Sequence, residues 1–520
     1  MISRIATTIA WKKTQFIMNS MTDNLLAIDL GTSSVKVLIT SAEGQVLSRG
    51  ESNYPIDSPA HGYAEQNPES WWEATIQAVG QATAHISSSR DQIGCIGLSG
   101  QMHGTVLLNR NREPAAPAVI WPDRRSTSQA AELTDLAGSD RLIRLTGSPA
   151  ATGFQAATVR WFQEVQPKLW SQVDKVLLPK DYLRWRIMGE FFTDPSDASG
   201  TLLFDINDND WSERMLEIAG IEPNQLPPVV ASNNIAGRVS TKAATALGVA
   251  KGTPVVTGAG DVACGLLGTG VTSDRRLLLT ISTGGQITHP ASNREVDVIG
   301  RIHTFRSAMR LNDEGLGYLR LGAILSAGRS LSWLRDQILQ EANKTDFAAL
   351  SARAETAPAG SDGLLFVPYI AGERTPHMNS EAKGMFLGMT IRHGRDHLIR
   401  AVMEGVALAC YDAFSVLGEF GSEPELIVMA GGGARSLLWR QIVSDVFNLP
   451  VQSPVIWEQA ALGAAMLAGS GIGIHDTNQA ARAWPRYGPL IEPNLRRHER
   501  YQEHMDIFRS AYHAIQHSSE

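Results

Sequence analysis

The chain has 520 residues, about three to four times the length of an average domain, so at least two domains are expected. Hydrophobic residues make up 43% and charged residues 19%, which excludes the low-hydrophobicity composition of a disordered protein. Lysine and arginine number 46 against 53 aspartates and glutamates, a net charge of −7, and the basic residues are dispersed along the chain. This balance argues against a protein that binds nucleic acid through its phosphates.

The cysteines and the apolar runs indicate the compartment. Cys95, Cys264 and Cys410 are not spaced like a disulfide framework or a zinc site, so a reducing environment is expected. No apolar run reaches the roughly 18 residues that a membrane span needs. We therefore expect a cytoplasmic protein without a membrane partner, and the sequence leaves a homodimer open.

Residues 1–23 are expected to form a tail of uncertain role. Its first 22 residues contain three basic residues and no acidic one, a composition found in organelle transit peptides. A loose tail, or a translation start at Met18 or Met21, is the simpler interpretation because a strand is predicted immediately afterwards.

Two hairpins of the same kind are predicted about 250 residues apart. In the first hairpin, residues 25–29 and 35–39 form apolar strands on either side of Gly31-Thr32-Ser33-Ser34. In the second, residues 277–281 run into Ser282-Thr283-Gly284-Gly285. The repeat predicts a chain built from two similar halves.

The domain boundary is expected near residues 265–276, between the two hairpins. We therefore expect an N-terminal domain over residues 24–268 and a C-terminal domain over residues 275–472, with a cleft between them. A helical extension is expected over residues 473–520, because apolar residues recur there at three- and four-residue spacing.

Three further predicted strands end in glycine-rich tips. These tips are Gly100-Gln101-Met102-His103-Gly104, Gly258-Ala259-Gly260-Asp261 and Gly431-Gly432-Gly433. Helices are predicted between them at residues 68–84, 326–340 and 396–414. Strands that alternate with helices indicate an α/β fold.

Tips of this kind present backbone N–H groups and small hydroxyls, which bind anions, so two facing tips could grip a polyphosphate. Asp29 ends the first strand among such groups, where a carboxylate suits Mg²⁺ held through water. An isolated Asp-Xaa-Gly-Thr segment is more often a simple turn cap, and that alternative stays open.

Asp261 follows three small residues at another predicted strand end, so its carboxylate faces any cleft there. In a kinase, such a carboxylate accepts the proton of the attacking hydroxyl. The alternative is a tight turn in which Asp261 satisfies its own backbone. His103, with Met102 as an apolar wall, is a candidate contact for a polar substrate, although a lone histidine is more often structural.

Taken together, these segments resemble the FGGY family of carbohydrate kinases, and most closely its xylulokinases, from about residue 25 to about residue 469. The matching segments are Asp29-Leu30-Gly31-Thr32, Gly100-Gln101-Met102-His103-Gly104, Ile120-Trp121-Pro122-Asp123-Arg124-Arg125, Leu178-Pro179-Lys180-Asp181-Tyr182-Leu183, Gly260-Asp261, Ser282-Thr283-Gly284-Gly285, Gly372-Glu373-Arg374-Thr375-Pro376-His377 and Gly431-Gly432-Gly433-Ala434-Arg435-Ser436. The stretch from residue 384 to residue 404 is similar to the C-terminal signature of the family throughout.

The resemblance implies an α/β fold of two actin-like (ribonuclease H-like) ATPase domains around a central cleft. It places ATP mainly on the C-terminal half and the sugar mainly on the N-terminal half. It further implies ATP and Mg²⁺ as cofactors, and a reaction in which ATP and D-xylulose give ADP and D-xylulose 5-phosphate.

Site residues follow from the resemblance position by position. Asp261 matches the general base of the family, Met102 and His103 match the sugar-contacting pair, and Asp29 matches the aspartate near the metal and phosphates. The other matching positions are Gly31, Thr32, Ser33, Thr283 and Gly284 at the phosphate tips, Gly432, Gly433 and Ala434 in the nucleotide segment, and Trp121 and Asp123 on the sugar side.

Three positions depart from the xylulokinase pattern. Val262 follows Asp261, where an asparagine amide generally hydrogen-bonds the sugar. Trp121-Pro122-Asp123-Arg124-Arg125 stands for the usual Trp-Asn-Asp-Gly-Arg, and Thr158 occupies the place of an expected lysine. A lost hydrogen bond at a desolvated site is worth about 1 to 3 kcal/mol, which is enough to change the preference among ketoses.

Two alternatives remain open at this point. The first is a kinase for another ketose or polyol, such as ribulose, ribitol or the linear autoinducer sugar. The second is a non-catalytic, sugar-binding regulator, against which the retained Asp29, Thr283 and Asp261 argue.

Overall fold

A computed structural model of the chain describes residues 24–84, 86, 92–312, 315–341 and 345–517. The tail expected at residues 1–23 lies outside these described residues. The described chain folds around two mixed sheets, which lie on either side of the predicted boundary near residues 265–276.

Strands and helices of the first half follow in chain order. The strands are β1 (Asn24–Leu30), β2 (Ser34–Thr40), β3 (Val46–Asn53), β4 (Glu65–Gln66), β5 (Ile93–Gly100), β6 (Val106–Asn109), β7 (Ala118–Val119), β8 (Val173–Leu177), β9 (Phe204–Asp205), β10 (Asp210–Trp211), β11 (Ile235–Arg238), β12 (Pro254–Val256) and β13 (Ala259–Gly260). The helices are α1 (Pro68–Ala84), α2 (Thr127–Ala137), α3 (Ser139–Thr146), α4 (Gln155–Val165), α5 (Pro167–Trp170), α6 (Pro179–Met188), α7 (Pro195–Ala198), α8 (Glu213–Ala219), α9 (Thr241–Leu247) and α10 (Asp261–Gly268).

The main sheet of the first half has the strand order β11-β12-β5-β1-β2-β3, and β13 pairs with the end of β5. Strands β1, β2 and β3 are antiparallel, whereas β5 runs parallel to β1, and β12 and β13 run parallel to β5. On β1, Leu26 and Ile28 pack on the α1 side, while Leu25 and Ala27 pack on the opposite face. Because both faces are covered, the strand is apolar throughout rather than alternating.

The second half repeats this design. Its strands are β14 (Arg276–Ile281), β15 (Gly285–Ala291), β16 (His303–Asn312), β17 (Gly315–Ile324), β18 (Leu365–Val367), β19 (Met385–Leu387), β20 (Leu426–Ala430) and β21 (Val451–Gln452). Its helices are α11 (Gly328–Trp333), α12 (Phe347–Thr356), α13 (Arg395–Gly418), α14 (Leu437–Phe447), α15 (Gln459–Gly471), α16 (Thr477–Ala483) and α17 (Leu495–His517).

The second sheet has the order β16-β17-β15-β14-β20-β21. The path β17-β15-β14-β20-β21 matches β3-β2-β1-β5-β12 in order and in strand direction, with β16 added at the edge. Both predicted hairpins are therefore confirmed, as β1–β2 and β14–β15.

Helix α15 lies across the expected boundary. It belongs to the C-terminal half in sequence but packs on the first sheet and on α10. A Cβ added to Gly97 would lie 2.0 Å from the carbonyl oxygen of Ala464, and one added to Gly463 would lie 2.1 Å from that of Cys264. Glycine thus permits close backbone contact, and α10 and α15 join the two halves.

Two long helices complete the second half. Helix α13 is long and apolar enough to cross a membrane, but 78% of its apolar window is buried inside the protein, as in the core helix of a globular domain. The expected C-terminal helix is α17, whose Phe508 and Tyr512 pack against Tyr369. The hydroxyl of Tyr501 donates a hydrogen bond to Glu404 Oε1 at 2.7 Å.

Candidate active site

The strand register of the first sheet brings the predicted catalytic residues together. Asp29 on β1 pairs with Ser99 on β5, and Ser99 pairs with Ala259 on β13. These three strands are parallel, so their carboxyl ends lie at the same side of the sheet, and the segments that follow them leave the sheet there. Residues 101–103 and Asp261 therefore lie beside Asp29, although they are far apart in the sequence.

Asp261 is the first residue of α10, and its Oδ1 accepts a hydrogen bond from the N–H of Val262 at 2.8 Å. Burial raises the pKa of Asp261 to about 7, and the nearby charge of Asp29 raises it as well. Burial also raises the pKa of Asp29, against the lowering effect of the Lys36 charge. A carboxylate with a pKa near 7 can accept and release a proton at neutral pH, as a general base must.

Hydrogen bonds fix the backbone of the β1–β2 tip. The N–H of Gly31 donates to the carbonyl oxygen of Ser34 at 3.0 Å, and Gln66 Nε2 donates to the carbonyl oxygen of Thr32 at 2.8 Å. Ser33 is exposed at the end of the tip. The tip therefore presents small hydroxyls in a fixed backbone, which is the arrangement predicted for a phosphate cradle.

Trp121 joins the expected sugar side to this tip. Its indole Nε1 donates to Thr32 Oγ1 at 3.0 Å, and 40% of its side-chain surface remains exposed. The structure thus places the half-exposed Trp121 beside the β1–β2 tip.

Asp123 is fully buried behind Trp121. Its Oδ2 accepts from the N–H of Ala64 at 2.6 Å and from Arg125 Nη2 at 2.8 Å, and its Oδ1 accepts from the N–H and Nε of Arg125. Arg125 also pairs with Glu65 at 2.7 Å and lies over the ring of Tyr63. Both carboxylate oxygens accept hydrogen bonds from inside the protein. This arrangement favours a structural role for Asp123 over a direct contact with the sugar.

His103 adopts the left-handed backbone region with a φ of 71°, which turns the chain after β5. Its Nδ1 lies 2.7 Å from the carbonyl oxygen of Gly200, and its ring packs on Phe154 with centroids 4.2 Å apart. Burial lowers the pKa of His103 to about 4, so the ring is neutral at pH 7. Since a carbonyl only accepts, Nδ1 carries the proton and Nε2 is left as an acceptor.

Met102 fits between two glycines. A Cβ on Gly200 would lie 3.0 Å from Met102 Cε and 2.9 Å from His103 Nδ1, and a Cβ on Gly260 would lie 3.0 Å from Met102 Cγ. The side chains of the predicted pair Met102 and His103 therefore occupy space that is free only because residues 200 and 260 are glycines.

Two residues of the second half, His303 and Phe305, pack with His103 and Phe154. The sequence analysis did not predict either of them. His303 and Phe305 lie on the edge strand β16; the ring of His303 stacks on Phe154, and that of Phe305 lies 5.8 Å from His103. Burial lowers the pKa of His303 to about 3, and its Nδ1 is buried without a hydrogen-bond partner among the described residues. Their alternate positions on one strand were the only available signal.

Arg374 adds a positive charge from the second half. Its charge lowers the pKa of both His103 and His303, after the larger effect of burial. Burial, and then the charge of Arg124, lower the pKa of Arg374 itself. Arg124, one of the departures from the xylulokinase pattern, is therefore within electrostatic range of this side of the cleft.

The predicted nucleotide residues meet at the corresponding edge of the second sheet. Thr280 on β14 pairs with Ala430 on β20, so the tip Ser282-Thr283-Gly284-Gly285 lies beside the turn at residues 431–435. Thr283 is exposed, and its carbonyl oxygen accepts from the N–H of Ala327 at 3.1 Å and of Arg329 at 2.9 Å. A Cβ on Gly284 would lie 2.8 Å from the carbonyl oxygen of Ile324.

The residues of the glycine turn differ in what they face. A Cβ on Gly432 would meet open space, whereas one on Gly433 would lie 2.6 Å from Ile281 Cγ2. Ala434 is buried in the core of the second half, so only its backbone is available to a ligand. Gly432 is thus the position where a side chain would enter the space expected for a nucleotide.

The site also fits a hydrated magnesium ion. Asp29 Oδ1 is buried and has no hydrogen-bond partner among the described residues. Within the same described part of the chain, no group of three or more His, Cys, Asp or Glu side chains could hold a metal by itself. An ion at Asp29 would therefore take most of its ligands from water and phosphate oxygens, as Mg²⁺ does.

Family models identify the class of protein to which these features belong. Residues 24–268 match the N-terminal domain, and residues 280–472 the C-terminal domain, of the FGGY family of carbohydrate kinases. The chain belongs to this family. The prediction of an α/β carbohydrate kinase with two actin-like ATPase domains is confirmed.

The chain is also similar to individual members of the family. The chain is 34% identical over 489 residues to a xylulose kinase of Bacillus subtilis, covering 94% of this chain and 96% of the relative. It is 32% identical over 455 residues to a gluconokinase of the same organism, covering 86% and 87%. A solved xylulose kinase from Lactobacillus acidophilus is 25% identical with a TM-score of 0.88, covering 95% of this chain and 98% of that one.

Proposed function

We propose that the protein transfers the γ-phosphoryl group of ATP to D-xylulose, giving ADP and D-xylulose 5-phosphate, in the cytoplasm. The observation that carries the proposal is the register that places Asp261, with a pKa raised to about 7, beside Asp29 and the pair Met102 and His103. The similarity to xylulose kinases over nearly the whole chain supports the choice of sugar.

Asp261 acts as the general base in this proposal. The sugar hydroxyl oxygen forms a bond to the γ-phosphorus, the bond from that phosphorus to the bridging oxygen of ADP breaks, and the hydroxyl proton passes to the Asp261 carboxylate. The N–H of Val262 holds Oδ1, which aims the carboxylate from the start of α10.

The sugar is held between the two halves. Neutral His103 offers Nε2 as an acceptor for a sugar hydroxyl, and Met102 supplies an apolar wall. His303 and Phe305 cover the same group from β16, so joining the two halves around the substrate excludes water. Water exclusion favours transfer to the sugar over hydrolysis of ATP.

ATP is held by the two tips and the glycine turn. Backbone N–H groups and hydroxyls at Thr32, Ser33 and Thr283 bind phosphate oxygens, and the open Gly432 admits the nucleotide. Mg²⁺, when bound with ATP, neutralises charge on the phosphates. Asp29, whose Oδ1 has no hydrogen-bond partner among the described residues, would hold this ion through water.

Val262 favours a second candidate, a kinase for another polyhydroxy substrate. Its side chain packs partly against the apolar core and offers no polar atom to a sugar. The relatives also include a gluconokinase, so an aldonate belongs in the tested set together with ribulose, ribitol and the linear autoinducer sugar.

The test is ADP release by the purified protein with Mg²⁺-ATP across pentuloses, hexuloses, pentitols, glycerol and gluconate. Highest kcat/KM on D-xylulose supports the proposal. Turnover confined to another substrate would keep the chemistry and contradict the sugar, while turnover on none would support the non-catalytic regulator.

A further inference from the structure

A cluster of buried charges lies behind Asp261. Its members come from α6 and from the segment that opens α7, and none is more than 1% exposed: Lys180, Asp181, Arg184, Asp194 and Asp197. Lys180 Nζ lies 2.7 Å from Asp181 Oδ1, 3.1 Å from Asp194 Oδ1 and 3.5 Å from Asp197 Oδ2. Although burial lowers the pKa of Lys180, the three carboxylates together raise it above its ordinary value.

A buried cluster of charges stabilises a fold inefficiently. Removing ions from water is unfavourable, and apolar side chains of similar volume often stabilise a protein as well or better. Neither buried oxygen of Asp197 has a hydrogen-bond partner among the described residues, and burial raises the pKa of Asp197 well above its ordinary value, against the lowering effect of Lys180. Stability alone therefore does not account for the cluster.

The cluster reaches the site through Ser196. Asp194 Oδ2 accepts hydrogen bonds from the N–H of Ser196 at 3.0 Å, from Ser196 Oγ at 2.5 Å and from Ser232 Oγ at 2.9 Å. Ser196 Oγ in turn accepts from the N–H of Gly260 at 3.1 Å. Lys180 and Asp194 are thus connected through one hydroxyl to the residue that precedes Asp261.

Gly260 is held on both sides: it pairs with Gly100 of β5, and its N–H donates to Ser196 Oγ. It ends the two-residue strand β13 and caps α10, and it has no side chain to pack, since a Cβ would collide with Met102. Ser196 therefore fixes a backbone group of the residue from which Asp261 leaves the sheet.

We propose that Ser196, anchored by Asp194 and Lys180, is a positioning residue for Asp261. The inference rests on the proposed role of Asp261 as the base. The charges of Asp29 on β1 and Asp197 on α7 are within electrostatic range of Asp261. Lys180 Nζ lies 3.5 Å from Asp197 Oδ2, and Cys264 lies three residues further along α10. Ser196 itself does not touch the substrate in this assignment; it orients the carboxylate that does.

The experiment compares Ser196→Ala with Ser232→Ala. Both remove a buried hydroxyl that donates to the same oxygen of Asp194, but only Ser196 also accepts from Gly260. We expect Ser196→Ala to lower kcat by about tenfold to a hundredfold, because small misplacements of a catalytic group have effects of this size. We expect KM for Mg²⁺-ATP to change less than about twofold, and kcat of Ser232→Ala to stay near that of the wild type.

The pH profile separates positioning from loss of stability. Loosening the start of α10 weakens the N–H bond from Val262 to Asp261, which disfavours the charged carboxylate, so the acid limb of kcat moves to higher pH in Ser196→Ala. Equal kcat values and equal pH profiles for the two alanine variants would overturn the proposal. If Ser196→Ala does not fold, Ser196→Thr and Ser196→Val form an isosteric pair that differs in the hydroxyl, and equal activity of that pair would overturn it too.

Asp261→Asn in the same assay separates the role of Asp261 as the base from the role of Ser196 as its positioning residue. If Asp261→Asn retains wild-type turnover, the assignment of the base fails and the positioning role with it. If Asp261→Asn is inactive while Ser196→Ala matches Ser232→Ala, only the positioning role fails.

Discussion

Asp29 and Asp261 lie at one edge of the first sheet, at the ends of strands that both pair with β5, and the charge of Asp29 helps to raise the pKa of Asp261 to about 7. Two carboxylates close together in a buried site do not ionise independently. Each has a separate role in the proposed reaction, Asp29 toward the metal and phosphates and Asp261 toward the sugar hydroxyl.

The first prediction concerns the pH dependence of turnover. Asp261 must be ionised to accept a proton, so kcat/KM for the sugar is expected to rise with pH and to reach half its plateau near pH 7. Initial rates between pH 5 and 9 at saturating Mg²⁺-ATP measure this limb. Full activity already at pH 5 would mean that the base has an ordinary carboxylate pKa.

The second prediction concerns stability. The folded pKa of Asp261, about 7, exceeds its ordinary value of 3.8, so this group stabilises the fold fully below pH 4, and its contribution is lost as pH rises toward 7. Asp261→Asn removes that loss and is expected to raise Tm at pH 8 by about 2 °C or more, with no gain at pH 4. Asp140→Asn, at an exposed pair with Arg144, is the control and should not raise Tm at either pH.

The third prediction tests the packing of the sugar-contacting pair. Gly200→Ala puts a methyl group 2.9 Å from His103 Nδ1 and 3.0 Å from Met102 Cε, so both side chains must move. We expect KM for the sugar to rise about tenfold while KM for Mg²⁺-ATP stays within about twofold. Gly80→Ala, in α1 with open space around the added methyl group, is the control and should leave both constants unchanged.

The fourth prediction separates the two glycines of the nucleotide turn. Gly432→Ala places its methyl group in open space, so it should leave Tm unchanged and raise KM for Mg²⁺-ATP. Gly433→Ala collides with Ile281 and is expected to lower Tm instead. An unchanged KM for Mg²⁺-ATP in Gly432→Ala would remove this turn from the nucleotide site.

The fifth prediction concerns substrate preference at Val262. If the missing amide has redirected specificity, Val262→Asn restores a sugar hydrogen bond and should raise kcat/KM for D-xylulose relative to the other active sugars by about tenfold. Val262→Ala, which shortens the side chain without adding a polar group, is the control. The same ratio in both variants would show that position 262 does not set the preference.

Much of the fold could be predicted because its signals are local. The buried strands β1 and β14 are continuous apolar runs that end in small polar tips, so each hairpin is visible within about fifteen residues of sequence. The edge at which Asp29 and Asp261 meet follows from parallel strands of one sheet. Long-range packing is different, since nothing local to residues 459–471 indicates that α15 packs on the first sheet.

Site residues at the ends of strands could be predicted from the sequence. Site residues brought together by long-range packing could not. His303 and Phe305 reach His103 from an edge strand that the repeat of the two halves does not require. The link from Lys180 to Gly260 depends on Ser196, which carries no distinctive sequence pattern. Asp123 has a suggestive position in sequence, but its burial against Arg125 could be recognised only in three dimensions.

Phosphorylation of D-xylulose with Asp261 as the base is tested most directly by following the formation of D-xylulose 5-phosphate from ATP and D-xylulose with ³¹P NMR, for the wild type and for Asp261→Asn. We expect phosphorylation of the sugar by the wild type and a loss of at least about a hundredfold in rate for Asp261→Asn, with nucleotide binding retained. Comparable product formation by the two proteins would contradict the assignment of Asp261 as the base.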